Sequence, residues 1–203
     1  MGAPLRYFLL NKPFGVVCQF SRETDRQTLA DFGPFPRGLY PAGRLDSDSE
    51  GLVFLTNDNL LKHRLTEPRF GHPRSYLVQV EGNPDKSVLD RLRAGVLIRG
   101  VRTRPARAVL LAGEPDLPAR PVPIRVRKTI PTAWLELTLR EGRNRQVRHM
   151  TAAVGHPTLR LVRVAIGPLT LGDLQAGSSR ELSEPEIEIL KRGLHLKPPL
   201  SRD

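Results

Sequence analysis

The segment Gly43-Arg44-Leu45-Asp46-Ser47-Asp48-Ser49-Glu50-Gly51 places one basic residue, three acidic residues and two glycines in nine positions. It then runs directly into the apolar stretch Leu52-Val53-Phe54-Leu55. Glycines at both ends of a charged segment mark backbone that turns sharply or lies close against something else. Residues 52–55 form a short uninterrupted apolar run, which predicts a strand buried on both faces. Such a chain must tie a polar loop to its core, and loops anchored in this way commonly carry chemistry. The charge pattern alone also describes a solvated acidic turn.

With 203 residues the chain can bury a substantial core in one or two small domains. No apolar run is long enough to cross a bilayer, and residues 1–6 carry neither a secretory h-region nor a myristoylation pattern. The single cysteine, Cys18, allows no internal disulfide framework and fits a reducing cytoplasm. It lies in an apolar run, where a thiol behaves as a small core residue. Thirty-two Lys and Arg against 21 Asp and Glu give a formal net charge of +11. That excess points to a partner rich in phosphate, with nucleic acid first. Arginine heavily outnumbers lysine, favouring bidentate phosphate contacts and stacking.

No repeat or low-complexity block is evident. Strands are predicted at 5–10, 16–20, 52–55, 74–81, 107–111, 124–128, 133–140 and 158–166. In the fourth of these, Tyr76, Val78 and Val80 share one side. Asn57 is expected to cap a helix through residue 65, with Leu60, Leu61 and Leu65 on one face and Pro68 beyond its end. Asn83-Pro84 opens a helix with Val88, Leu89 and Leu92 inward, closed by Gly95. Asn144 is expected to cap a helix ending at Gly155, with Val147, Met150, Thr151 and Val154 inward. Ser183-Glu184-Pro185-Glu186 reads as the capping box of a closing helix. The proline-rich piece 114–123 reads as a surface connection. Strands outnumber helices and lie too close together for crossovers, so the fold class is α+β, with a mixed, mostly antiparallel sheet flanked by helices. We expect one catalytic unit over residues 1–195, in two lobes around a central cleft, and a flexible tail at 196–203.

Three clusters have chemical potential. In the first, Asp46, Asp48 and Glu50 alternate along a loop, which gives them poor convergence for Mg²⁺. One of them can instead act as nucleophile or general base beside a cation, and spacing does not choose which. The second is Arg143-Asn144-Arg145-Gln146-Val147-Arg148-His149. On a helical wheel, Arg145 and His149 lie opposite the apolar stripe and Arg148 at its edge, so Arg145 suits phosphate and Arg148 can turn to a carboxylate. The third is Tyr76, which alone reads as core. The five histidines have no metal-ligand spacing, and no phosphate-binding loop or dinucleotide fingerprint is present.

In order along the chain, these pieces resemble the pseudouridine synthases of the RsuA type. Leu10-Asn11-Lys12-Pro13-Phe14-Gly15 is similar to the family's opening motif, and Gly43-Arg44-Leu45-Asp46 with Ser49, Gly51 and residues 52–58 to its signature. Arg74-Ser75-Tyr76 resembles the tyrosine motif, in which lysine is more usual at the first position. Residues 140–150, with Leu161-Val162-Arg163-Val164-Ala165-Ile166-Gly167, resemble the closing motif. The likeness runs from about residue 5 to residue 171.

The resemblance implies roles. Asp46 matches the catalytic aspartate, Tyr76 a base-stacking tyrosine, and Arg148 the arginine that pairs with the aspartate. Arg44 matches a residue implicated in unstacking the target nucleotide. Lys12, Arg143, Arg145 and Leu161 stand in matched motifs as candidate contacts to substrate RNA. The implied reaction breaks the N1–C1′ bond of a uridine in RNA, turns the base and rejoins it through C5, with no metal and no organic cofactor. Asp46 attacking C1′, attacking C6 or removing a C2′ proton are all open. The base must leave its stack before a carboxylate can reach it. A partly buried carboxylate that stays ionised needs a guanidinium nearby.

Many relatives carry a small basic RNA-binding domain ahead of the catalytic one, and here the motifs begin near Met1. RNA binding is therefore expected from the catalytic unit itself, and a form this short resembles the members acting on 23S rRNA. A monomer is expected, with ribosomal RNA as partner and no membrane association. Two other readings use the same residues. One is an rRNA-binding assembly factor without activity, which has no need of Asp46. The other is a metal-dependent nuclease using Asp46, Asp48 and Glu50.

Overall fold

The computed structural model describes residues 3–196 except 24, 121, 125, 126 and 128. Along the chain the strands are β1 (Tyr7–Lys12), β2 (Tyr40–Pro41), β3 (Glu50–Thr56), β4 (Arg74–Glu81), β5 (Leu97–Ile98), β6 (Val101–Arg102), β7 (Arg107–Leu110), β8 (Thr132–Leu139), β9 (Thr158–Ile166), β10 (Leu169–Thr170) and β11 (Ser179–Glu181). The helices are α1 (Asn59–Thr66), α2 (Lys86–Ala94), α3 (Gln146–Ala153) and α4 (Glu184–Gly193). None of the described helices is long and apolar enough to cross a membrane.

Nine strands form one sheet in the order β11-β1-β3-β9-β4-β8-β7, with β2 added to β3 and β10 to β9. Every pairing is antiparallel except that of β3 with β9, which is parallel and joins only Glu50 to Val162 and Gly51 to Arg163. The fold is thus α+β with a mixed, mostly antiparallel sheet, as expected. At the short parallel junction Gly51 has φ +101°, and a Cβ there would sit 2.3 Å from the Arg163 carbonyl oxygen. Only glycine lets the two halves of the sheet approach so closely.

All seven residues of β3 are buried, because apolar clusters cover both faces. Leu9, Leu52 and Phe54 pack with Leu61, Leu65, Ile187 and Leu190 from α1 and α4. Leu10, Val53 and Leu55 belong to the other cluster, with Val78, Val80, Leu137, Leu92 and Met150 from β4, β8, α2 and α3. The strands at 74–81 and 158–166 match their predicted limits, and the capping box at Ser183 and Glu186 is present.

Some expectations fail for identifiable reasons. Residues 16–20 form no strand: Val17 makes only an isolated bridge to Thr28, although Val16 and Cys18 are buried. The chain leaves β1 toward the loop at 44–49, where Gly15 N donates to Ser47 O at 2.7 Å, rather than folding back as a hairpin. Asp58, not Asn57, caps α1, accepting from Leu61 N at 3.0 Å. Asn57 is occupied by the N-terminal segment, accepting from Arg6 N and donating to Pro4 O. Leu60 is 63% exposed, so it is not part of the inward face. Arg145, not Asn144, is the N-cap residue of α3.

The segment expected as a strand at 124–128 falls largely outside the described residues, and Ile124 and Arg127 are not in a strand. Apart from Leu196, the expected tail at 196–203 also lies outside them. The proline-rich stretch joins β7 to β8, neighbours in one sheet, and is tied down where Arg160 donates to Pro118 O at 2.9 Å.

Candidate active site

The loop at 43–49 is held by its backbone. Arg163, 2% exposed within β9, donates to Leu52 O at 2.8 Å and to Gly43 O at 3.2 Å. Gly15 N holds Ser47 O, and Arg148 donates to Asp48 O at 2.7 Å. A turn closes where Ser49 N donates to Asp46 O at 3.1 Å. Leu45 is buried in the core and draws its side of the loop inward, so neighbouring Asp46 faces the cleft. The result is a carboxylate on a braced loop, its side chain 39% exposed.

That cleft has a volume of about 370 Å³, and Arg44, Asp46, Tyr76, Arg143, Arg145 and Leu161 all line it. Six of the eight residues singled out from sequence therefore converge. Tyr76 reaches it from β4 at an irregular register: Ser75 pairs with Ala165 but Tyr76 with Arg163, leaving Val164 as an extra residue on β9. A bulge of this kind re-aims the adjacent side chain. Leu161 is buried and serves as apolar floor. Arg44 is exposed and makes no hydrogen bond or ion pair with another described residue, which leaves its guanidinium free for a ligand.

The rim opposite the acidic loop is a second braced turn. Buried Glu141 accepts from Arg104 N at 2.9 Å and from Gln146 Nε2 at 2.6 Å, and Gln146 Oε1 accepts from Arg143 N at 2.9 Å. Arg143 also grips the β5–β6 hairpin through Arg102 O at 2.9 Å. Arg145 adopts the left-handed region with φ +51°, a conformation non-glycine residues rarely occupy. In that position its guanidinium takes both Asp48 oxygens, at 3.1 and 2.7 Å, and lies 3.4 Å from Asp46 Oδ2.

Two expectations are corrected here. Arg148 was expected to pair with Asp46, but its ion pair is with Asp48, Nε to Oδ2 at 3.4 Å, and its Nη2 holds the Asp48 carbonyl. It also donates to Thr158 O at 3.3 Å, so it joins the acidic loop to β9 from behind the cleft. The guanidinium beside Asp46 is that of Arg145, which had been read as a phosphate contact. Lys12, expected to touch RNA, is 0% exposed and donates to Pro13 O and Val16 O at 2.9 and 3.0 Å. It shapes the turn whose Gly15 supports the acidic loop.

Electrostatics follow burial. Desolvation pushes the Asp48 carboxyl up, but hydrogen bonds from Arg145 and the charge of Arg148 outweigh it and hold the group below its ordinary range. The hydrogen bond to Asp48 raises Arg145, whereas burial lowers Arg148. Burial likewise lowers Lys12 to about 8, against the opposing charges of Cys18, Glu50 and Asp48. Glu50 is withdrawn from the cleft and forms a buried bidentate pair with Arg160 at 2.9 and 2.8 Å. With Glu50 removed, the acidic residues do not converge, and among the described residues no three His, Cys, Asp or Glu side chains form a metal-binding group.

Sequence reasoning missed Arg163 and Arg160. Both are cations inside an otherwise apolar strand, and a buried cation must find acceptors. That pattern was the available signal.

The family model for RNA pseudouridylate synthase matches residues 6–153. The ribosomal large subunit pseudouridine synthase E of Xanthomonas campestris is 59% identical over 174 residues, 85% of this chain and 92% of that protein. The ribosomal small subunit pseudouridine synthase A of Escherichia coli is 38% identical over 185 residues, 90% of this chain and 72% of its own. A crystal structure of a pseudouridylate synthase superposes with a TM-score of 0.76 at 33% identity, covering 92% of this chain and 74% of the other. A carboxylate on a braced loop, facing a tyrosine and two arginines across a cleft, thus occurs in a chain that belongs to the RNA pseudouridylate synthase family.

Proposed function

We propose that this protein isomerises a uridine of ribosomal RNA, in the large subunit, to pseudouridine, with Asp46 as the catalytic carboxylate. The observation that carries the reading is the convergence of Asp46, Tyr76, Arg44 and Arg145 on one cleft. The identity to large-subunit synthases supports the choice of RNA.

In this reading the uridine leaves its stack and enters the cleft, with Tyr76 presenting an aromatic face and Leu161 an apolar floor. The N1–C1′ bond breaks, the base turns, and a C5–C1′ bond forms. The proton on C5 passes to solvent and N1 takes one up, so the product is an isomer of the substrate. Arg145 shares the charge of Asp46 and keeps it oriented, which supports a positioning role. Arg148 acts one step further back, fixing the loop through Asp48. Arg44, exposed and unengaged by other described groups, is suited to the vacated stack or a phosphate.

Residues 1–195 serve as one catalytic unit, a reading supported by β11 closing against β1 at the edge of the sheet. The chain acts as a monomer in the cytoplasm, and the lone buried Cys18 accords with a reducing compartment.

The test is release of tritium from C5-labelled uridine in a transcript of large-subunit rRNA, with pseudouridine mapped in the product. Release in step with pseudouridine formation is expected. Release from small-subunit transcripts alone overturns the choice of RNA, and release from neither overturns the activity.

A further inference from the structure

Beside the cleft lies a second, larger pocket of about 600 Å³, which the reaction at Asp46 does not use. Phe20, Phe35, Pro36 and Tyr40 line it, Arg37 stands at its edge, and Arg44 lines both this pocket and the cleft. Among the described residues no carboxylate lines it. We propose that it receives an unstacked nucleobase of the same RNA strand, flanking the uridine held at Asp46, while Arg37 and Arg44 neutralise the phosphates between the two. The inference rests on the RNA reading above and adds to it a second base-binding site.

Three observations favour this occupant. First, the aromatic wall is preorganised. Phe35 is fixed edge-to-face between Phe8 and Phe20, with ring centroids 5.8 and 5.7 Å away. A ring already immobilised by its neighbours loses little further freedom when a base stacks on it. Second, Tyr40 is 57% exposed although its backbone is tied into the sheet by pairing with Thr56. The Lys62 ammonium lies 4.9 Å from its ring centroid. An exposed aromatic ring on a fixed strand with a cation beside it suits a stacked base carrying a phosphate. Third, Arg44 links the pockets. A strand that occupies both pockets runs past its guanidinium, which lines each of them.

The test uses the shortest large-subunit rRNA fragment that the wild-type protein isomerises, and a series of the same fragment with an abasic residue at each position flanking the target. Stacking on one aromatic ring predicts that Tyr40→Ala raises Kd for the intact fragment about 5- to 100-fold. An abasic residue at one flanking position is expected to weaken wild-type binding to a similar degree. On that fragment Tyr40→Ala causes no further loss, whereas at the other positions the two losses multiply. Tyr40→Phe, which keeps the ring, binds the intact fragment as wild type does. Unchanged binding by Tyr40→Ala, or losses that multiply at every position, overturns the second site while isomerisation stands. If the wild-type protein isomerises no fragment, the RNA reading and this inference fall together.

Discussion

Asp48 and Glu50 lie two residues apart, and each accepts a bidentate guanidinium, yet the two pairs have opposite characters. Glu50 and Arg160 have side chains 11% and 7% exposed, whereas Asp48 and Arg145 stand at 35% and 38%. In the buried pair, two desolvated charges depend on each other, and removing one leaves the other uncompensated. Solvent screens the pair at the cleft, so it contributes roughly 1 kcal/mol or less to stability and can be rearranged around a substrate. Asp46, beside the second pair, shares Arg145 without being locked to it. The chain thus changes from site to scaffold within four residues, as the loop enters β3.

The largest effect should fall on Asp46. Asp46→Asn is expected to lower kcat about 10²–10⁴-fold while stability changes by less than about 1 kcal/mol. Asp48→Asn should cost far less activity, because Asp48 orients the arginines and does not line the cleft. Tritium release and thermal melts on both variants measure this. Equal kcat losses would break the division between a reacting and an orienting carboxylate.

The reverse pattern is expected on the scaffold side. Glu50→Gln leaves Arg160 buried without its counter-charge and should destabilise by about 3–5 kcal/mol, a fall in Tm of order 10 °C for a chain of this size. Replacing both residues with leucine should recover part of the loss, since a well-packed apolar pair avoids the desolvation penalty. A Glu50→Gln variant that melts like wild type would place this pair with the screened ones.

Lys12 gives the buried side a pH signature. Its folded-state value is lowered to about 8 from 10.5. Between those two values the unfolded chain binds more protons than the native one, so stability rises with pH across that window. Below pH 8 both states carry the proton and the full penalty persists. The rise attributable to Lys12 should amount to roughly 3–4 kcal/mol. Denaturant titrations of wild type and Lys12→Met isolate it, because other groups that titrate in the window are common to both. An equal slope in the two proteins would show Lys12 to be solvated.

Much of this was legible because long strands carry a period. The alternation at 74–81 and 133–139 put Val78, Val80, Leu135 and Leu137 into the core, where they are found. Strands of two or three residues, such as β2, β5 and β11, are too short to show one. Residues 16–20 form an apolar run as a buried strand does, but their backbone pairs locally with residues 27–29 instead of a neighbouring strand. At the site, Asp46 and Tyr76 were legible as parts of motifs. Lys12 was misread because a buried lysine and a surface lysine look alike in sequence, and only its carbonyl partners distinguish them.

Arg145 and Arg148, at the cap and in the first turn of α3, were exchanged for a geometric reason, and that exchange yields the finest test. The helical wheel assumes that the helix already includes residue 145, which sends Arg145 to solvent and leaves Arg148 to turn inward. The helix begins at Gln146, and the left-handed backbone at Arg145 swings its guanidinium across to Asp46 and Asp48. Arg148 lies deeper and spans the Asp48 and Thr158 carbonyls. Arg145→Ala should therefore lower kcat about 10-fold, equivalent to ~1.4 kcal/mol in the barrier, with melting close to wild type because the lost pair is screened. Arg148→Met should show the converse split: it loses about 1–3 kcal/mol of stability from unpaired carbonyls, and lost activity follows the loosened loop. Steady-state kinetics at a temperature where both variants remain folded separates these outcomes. A kcat loss for Arg148→Met exceeding that of Arg145→Ala, at equal folded fraction, would return Asp46 to the arginine that the motif first suggested.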